Sequence, residues 1–233
     1  MLNCVILTGV PFEYIEQDPY NKSAEWLAIN PRGLVPVLIH NGQNVYESLI
    51  CIEYLEDSWP QTAPHLLPPN DAYQRARARL LSEHISKKII PHFYACLQKQ
   101  SPAERTQAAE AIFQGIITLM NDASNQGPFL LGADFSMPDI MLAPWAHRFD
   151  VILRHYRSVV IPCEDGSPPD GALREHADAF KRYHAWYKAV QALPCYKKTL
   201  AEQEKLIASY QRYADDTVKS QVGDAIRSGT ALP

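Results

Sequence analysis

The hydrophobic pattern changes period near residue 60. Before it, short apolar runs of strand character alternate with helical ones; after it, long stretches follow the 3.6-residue period of one-sided helices. Phe12-Glu13-Tyr14-Ile15-Glu16 alternates like a half-buried strand, and Ala24 to Ile29 reads as a short helix stopped by Pro31. Val35-Pro36-Val37-Leu38-Ile39, then Asn41-Gly42, then Asn44-Val45-Tyr46 predict a hairpin, because Asn-Gly suits the positive φ values of a type I′ turn. Ser48 is placed to cap a helix through Asp57, with Ile52 and Leu55 on its inner face. Trp59 to Asn70 carries four prolines in twelve residues and reads as a linker.

From Asp71 onward the periodicity predicts helices at about 71–99, 103–124, 137–155, 173–190 and 197–222. Pro91 has no N–H to donate and should kink the first. The resulting organisation is an α/β domain over 1–60, a linker over 61–70 and an all-helical domain over 71–233. No apolar run approaches the 18 or so residues a membrane span needs. The apolar start, Met1 to Leu7, has neither a basic head nor a small-residue cleavage site, so it does not read as a secretory signal.

Composition narrows the class further. Hydrophobic residues at 46% and charged residues at 21% suit a globular chain of 233 residues. The five cysteines are odd in number, widely spaced and without a Cys-x-x-Cys pair. That argues against a disulfide framework or structural zinc and fits a reducing cytosol. The net charge of −4 is uneven: residues 1–70 hold two cations and eight acids, 2 − 8 = −6, leaving 20 − 18 = +2 for the rest. Neither part has the basic excess that nucleic acid requires. In the acidic first part, Lys22 and Arg32 are the places for a small ligand's carboxylate.

Five sequence features bear on candidate chemistry. Val35-Pro36 is either a proline opening an edge strand, or a cis peptide turning the Val35 backbone outward to pair with an extended ligand. Glu47-Ser48 is either a plain helix start, or a site where the helix N-terminus holds a carboxylate and Glu47 takes an ammonium, as a zwitterionic head group needs. Ser136-Met137-Pro138-Asp139 has the form of a capping box, which favours a structural Asp139 over one aimed into an active site. The histidine pairs lie eight residues apart (His84/His92, His147/His155, His176/His184), about 12 Å along a helix, too far to share one ion; no metal site is predicted. Arg75, Arg77 and Arg79 read as a solvated or dimer-facing basic stretch.

Taken in order, the pieces resemble the glutathione transferase family, most closely its fungal omega-like members, over nearly the whole chain. The matching text is Gly9 to Glu16, Asn30-Pro31-Arg32-Gly33-Leu34-Val35-Pro36-Val37-Leu38, Tyr46-Glu47-Ser48 and Glu53 to Asp57. It continues in Phe129-Leu130-Leu131-Gly132, Ser136 to Ile140, and the tail from Tyr213 to Pro233. The resemblance implies a thioredoxin-like N-terminal domain that holds glutathione and an all-α C-terminal domain that lines a pocket for a hydrophobic second substrate. It implies that Val35 pairs with the cysteinyl backbone across a cis-Pro36, that Glu47 and Ser48 bind the γ-glutamyl head, and that Lys22 binds the glycyl carboxylate. His92, Tyr94, Trp145 and Arg148 are the candidate pocket residues. A cytoplasmic homodimer, packed through helices 48–57 and 71–99, is also implied.

One departure bears on mechanism. The family's catalytic Cys, Ser or Tyr lies between a first strand and a first helix, and a helix of about 11 residues does not fit ahead of Gly9. On this reading the chain begins inside the first helix, the first strand and the usual catalytic residue are missing, and Cys4 falls within the helix. No catalytic residue is assigned. The expected activity is addition of the glutathione thiol to a hydrophobic electrophile, in fungal specialised metabolism or detoxification. Three alternatives stay open: a glutathione-dependent trans/cis isomerase working by reversible thiol addition, a non-catalytic binding or regulatory protein, and a start codon placed too late.

Overall fold

The computed structural model describes residues 2–18 and 20–233, with side chains from Val5 onward. The first part runs α1 (Leu2–Thr8), α2 (Ala24–Ile29), β1 (Val37–His40), β2 (Gln43–Tyr46) and α3 (Ser48–Ser58). β1 and β2 form an antiparallel hairpin with Val37 opposite Tyr46 and His40 opposite Gln43. Its turn places Asn41 at φ 51° and Gly42 at φ 75°, as the Asn-Gly pair predicts. The short α2 is held at its start by Ser23, whose hydroxyl accepts from the Trp26 N–H, and buries Trp26.

The strand expected at Phe12–Glu16 does not form. Residues 11–18 carry no regular secondary structure, their backbone finds no ladder partner among the described residues, and Phe12, Tyr14 and Ile15 stay exposed. A strand needs a neighbour to satisfy its N–H and C=O groups, and an alternating pattern alone supplies none.

The proline-rich stretch after α3 is pinned rather than loose. Glu56, buried in α3, accepts from the Leu66 backbone N–H at 2.7 Å and bonds the His65 ring at 3.0 Å, while the Leu66 carbonyl accepts from Met137. Leu66 and Leu67 are wholly buried.

The rest is helical: α4 (Ala72–Lys88), α5 (Ile90–Gln98), α6 (Pro102–Asp122), α7 (Met137–Arg148), α8 (Arg154–Arg157), α9 (Ala177–Ala192), α10 (Pro194–Lys197), α11 (Gln203–Ala214) and α12 (Gln221–Ser228). The helix expected at 71–99 breaks into α4 and α5 at Ile89, where Pro91 opens the second piece. The one expected at 137–155 widens into a π turn over Phe149–Leu153. The one expected at 173–190 begins as a 3-10 turn, Gly171–His176. The tail expected as a single helix over 197–222 becomes α10, α11 and α12, interrupted where Asp216 takes φ 53° and Ser220 caps the next start. α4, α6, α7 and α9 share one core that includes Ile85, Ile112, Ile116, Phe180 and Trp186. Among the described residues no helix is long and apolar enough to cross a membrane.

Candidate functional site

The turn at 30–35 is built by one buried side chain. Asn30 donates through its amide to the Leu34 carbonyl at 2.8 Å, accepts from the Arg32 N–H at 3.1 Å, and its carbonyl accepts from Gly33. Gly33 sits at φ 64° beneath the Lys22 side chain, and a Cβ there would come 2.7 Å from the Lys22 methylene chain. Only glycine suits both constraints, so the turn fixes Lys22 over it. Val35 follows, 52% exposed and joined to Pro36 by a cis bond, with its own N–H and C=O unpaired among the described residues.

Across from this turn, Glu47 ends the hairpin at φ 73°, a conformation a side-chain-bearing residue holds at a cost of about 1–3 kcal/mol. It stands at the N-terminus of α3, where its carbonyl accepts the first intrahelical bond from Cys51 at 2.9 Å. Ser48 is the first helical residue rather than the cap expected from the sequence, and no side chain caps this end. The first N–H groups of α3 therefore face outward with the positive end of the helix dipole. The exposed Glu47 carboxylate meets Arg32 at 2.6 Å, and the Arg32 guanidinium lies 5.5 Å over the Tyr46 ring. An anionic carboxylate beside free helical N–H groups fits a zwitterion; an unpaired, outward backbone at the cis Val35-Pro36 bend fits a peptide; Lys22 fits a terminal carboxylate.

A second cluster lies in the helical part. The Tyr94 ring packs at 5.6 Å from Trp145 and 5.4 Å from Tyr213, and the buried Phe93 packs edge to face against Trp145 and Tyr210. Arg148 lies 5.3 Å over Trp145 and 5.6 Å over Tyr210. Burial first, then the neighbouring phenols of Tyr210 and Tyr213, push the Tyr94 hydroxyl well above its ordinary value; burial chiefly pushes Tyr213 up to about 12. Both are neutral hydroxyl donors at pH 7. The two clusters meet through the N-terminal loop: Arg212 lies 4.2 Å over the Tyr20 ring, and Gln221 reaches the Arg32 carbonyl at 3.4 Å.

Of the pocket residues named from the sequence, Tyr94, Trp145 and Arg148 come together. His92 does not join them: burial and Lys88 lower its pKa, and no ring or hydrogen-bond contact links it to the cluster. Tyr20, Tyr210, Tyr213 and Arg212 were not singled out in the sequence; the three-residue spacing of Tyr210 and Tyr213 on one helix face was the available signal. Asp139 is structural, with Ser136 completing the capping box. Cys4 falls in α1, and its side chain lies outside the described residues. Among the described residues, no group of three or more His, Cys, Asp or Glu is placed to hold a metal ion.

The chain is similar to known proteins over most of its length. The glutathione S-transferase N-terminal domain matches residues 2–58, and the glutathione S-transferase C-terminal domain matches residues 102–189. Glutathione S-transferase U8 of Arabidopsis thaliana is 38% identical over 208 residues, covering 87% of this chain and 83% of that one. Among solved structures, glutathione transferase Omega 3C from Trametes versicolor superposes with a TM-score of 0.74 at 33% identity, over 91% of this chain and 84% of that one. Rice GST1 (OsGSTU1), solved in complex with glutathione, superposes with a TM-score of 0.73 at 28% identity, over 90% and 89%.

Proposed function

Because the chain belongs to the glutathione S-transferase family, we propose that it is an omega-like member that adds the glutathione thiol to a hydrophobic electrophile. Glutathione is its co-substrate. In this reading Glu47 receives the γ-glutamyl ammonium, Ser48 and the α3 N-terminus its carboxylate, the Val35 backbone the cysteinyl unit, and Lys22 the glycyl carboxylate. Tyr94, Trp145 and Arg148, joined by Tyr210 and Tyr213, form the electrophile pocket. The single observation that carries the reading is Glu47. A strained, exposed carboxylate beside uncapped helical N–H groups is placed for an ammonium and a carboxylate on one carbon.

Positioning is the main contribution of such a site. A free thiol of pKa about 8.5 is only about 3% ionised at pH 7, so full ionisation gains roughly thirtyfold, about 2 kcal/mol. Orientation against a bound electrophile contributes up to about 7–11 kcal/mol. No residue is assigned to activate the thiol, and Cys4→Ser is expected to leave turnover intact. We read the reaction as net conjugation, with free thiol consumed one for one; conserved thiol with altered alkene geometry would mark the isomerase instead.

Calorimetry tests the site. Glu47→Ala is expected to weaken glutathione binding by about 1–3 kcal/mol, the range for losing a charged hydrogen-bond partner. No binding to the wild type, or equal binding to the variant, would sink the assignment.

A further inference from the structure

The helical part holds a cavity of about 210 Å³ between the π turn that follows α7, the loop after α8, and α9. It shares no lining residue with either cluster described above. Phe149, Ile161 and the Tyr187 ring give it apolar walls. The His184 Nε2 donates to the Pro162 carbonyl at 2.8 Å, which fastens the loop carrying Ile161 and Glu164 onto α9. Tyr187 spends its hydroxyl on Tyr196 at 3.3 Å. Tyr183 differs: it is 2% exposed and lines the cavity, yet its hydroxyl has no hydrogen-bond partner among the described residues. Burial holds this phenol protonated, well above its ordinary pKa. A buried hydroxyl without a partner is costly, and a ligand oxygen would remove that cost. The rim carries charge. Arg154 is shared by Asp150 at 2.9 Å and by Glu164, whereas the exposed Lys188 pairs with no acid among the described residues.

We propose that this cavity is a second binding site, separate from the transferase site, for a single-ring aromatic carboxylate that carries an oxygen para to its carboxylate. The ring lies between Phe149, Ile161 and Tyr187, the para oxygen meets the Tyr183 hydroxyl, and the carboxylate stays at the rim beside Lys188. Size selects one ring. An apolar cavity of about 150 Å³ holds benzene, so 210 Å³ takes a substituted ring and leaves no room for a fused or extended one. Charge selects the orientation. A carboxylate buried against one neutral hydroxyl would lose its hydration without compensation, so the anion belongs where water and Lys188 both reach it. Spacing agrees with both. Tyr183 and Lys188 stand five residues apart on α9, about 7.5 Å of helix rise, close to the span of a para-hydroxybenzoate from phenol oxygen to carboxylate.

Ligand-observed NMR titration tests this with para-hydroxybenzoate, its methyl ester and benzoate against the wild type, Lys188→Gln and Tyr183→Phe. The wild type is expected to bind para-hydroxybenzoate, with the same affinity when S-hexyl glutathione saturates the transferase site. Lys188→Gln should weaken the acid about threefold and leave the methyl ester unchanged. Tyr183→Phe should weaken para-hydroxybenzoate about fivefold and leave benzoate unchanged. No binding by the wild type, or displacement by S-hexyl glutathione, would overturn the site. So would a Lys188→Gln variant that treats acid and ester alike. If Tyr183→Phe does not fold, Lys188→Gln decides alone, since an exposed side chain is changed there. If S-hexyl glutathione itself does not bind, the transferase reading fails, and the variants still decide this site.

Discussion

Asp139 is wholly buried and accepts four hydrogen bonds: from the Leu130 N–H and the Trp186 indole at 2.8 Å, and from the Ser136 N–H and hydroxyl at 3.0 Å. Burial nevertheless pushes its pKa up to about 6, against the pull of all four donors. The folded chain thus holds this proton more tightly than the unfolded chain, whose Asp titrates near about 3.9. The stability this group contributes is fully present below about pH 4 and is lost as pH rises through about 6, a change on the order of 3 kcal/mol. His92 and His147, whose pKa values burial lowers, act in the opposite sense. Comparison with Asp139→Asn cancels them. The wild type's advantage over Asp139→Asn in urea unfolding is expected to shrink from about pH 5 to about pH 7.5, and a pH-independent advantage would mean the four donors fully offset burial. The sequence made the Ser136 partnership legible because it is local. Trp186, 47 residues away, carries no local signal and enters only through packing.

At the scale of elements, periodicity located the helices but not their breaks. A helical stripe says which face is buried; it does not say that Ile89 will separate α4 from α5, or that the tail will turn at Asp216. The pattern at Phe12–Glu16 misled for the complementary reason, since strand formation depends on a neighbour that alternation cannot reveal. The site shows the same division. Glu47, Ser48, Val35 and Lys22 lie within 27 residues, the first three at local turn and helix-start signals and Lys22 as one of two cations in an acidic stretch, whereas Tyr210 reaches Arg148 across 62. Helix contact also fixes the sign of a substitution that propensity alone would get wrong. Gly115 lies in α6, where alanine ordinarily stabilises by about 1 kcal/mol. A Cβ here would stand 2.8 Å from both the Lys88 carbonyl and an Ile89 carbon, and the Gly115 carbonyl is itself bonded to His84 at 2.8 Å. The Lys88 backbone has little room to yield, so Gly115→Ala is expected to destabilise by about 1–3 kcal/mol. A lower urea midpoint at unchanged slope reads this out, and a higher midpoint would show that α6 can shift away.

At the scale of the whole molecule, α3 and α4 form one outer face. Arg79 grips Glu53 through two bonds of 3.0 and 2.7 Å, Arg75 meets Asp57 at 3.5 Å, and Arg77 turns to Asp122 instead. The basic stretch that reads as solvated or dimer-facing in the sequence is thus paired within the chain, two of its three arginines tying α3 to α4. Such surface pairs contribute little energy singly, about 0–1 kcal/mol, but they keep the two helices in register. Large apolar side chains stand out of this face: Ile50 at 54% exposure, Tyr73 at 70% and Leu80 at 56%. Apolar residues this exposed on adjoining helices suit a two-fold contact in which the same patch meets itself. Sedimentation at micromolar concentration is expected to give a particle of about twice 26.3 kDa, near 53 kDa. Leu80→Glu sets a charge into both halves of that contact and should shift the particle to the mass of one chain; a wild-type monomer, or a variant that stays dimeric, would remove this face as the interface. Lys22, Val35, Glu47 and Ser48 all come from one chain, so the dissociated variant should still bind glutathione with wild-type affinity. Loss of binding on dissociation would mean that a partner chain completes the site.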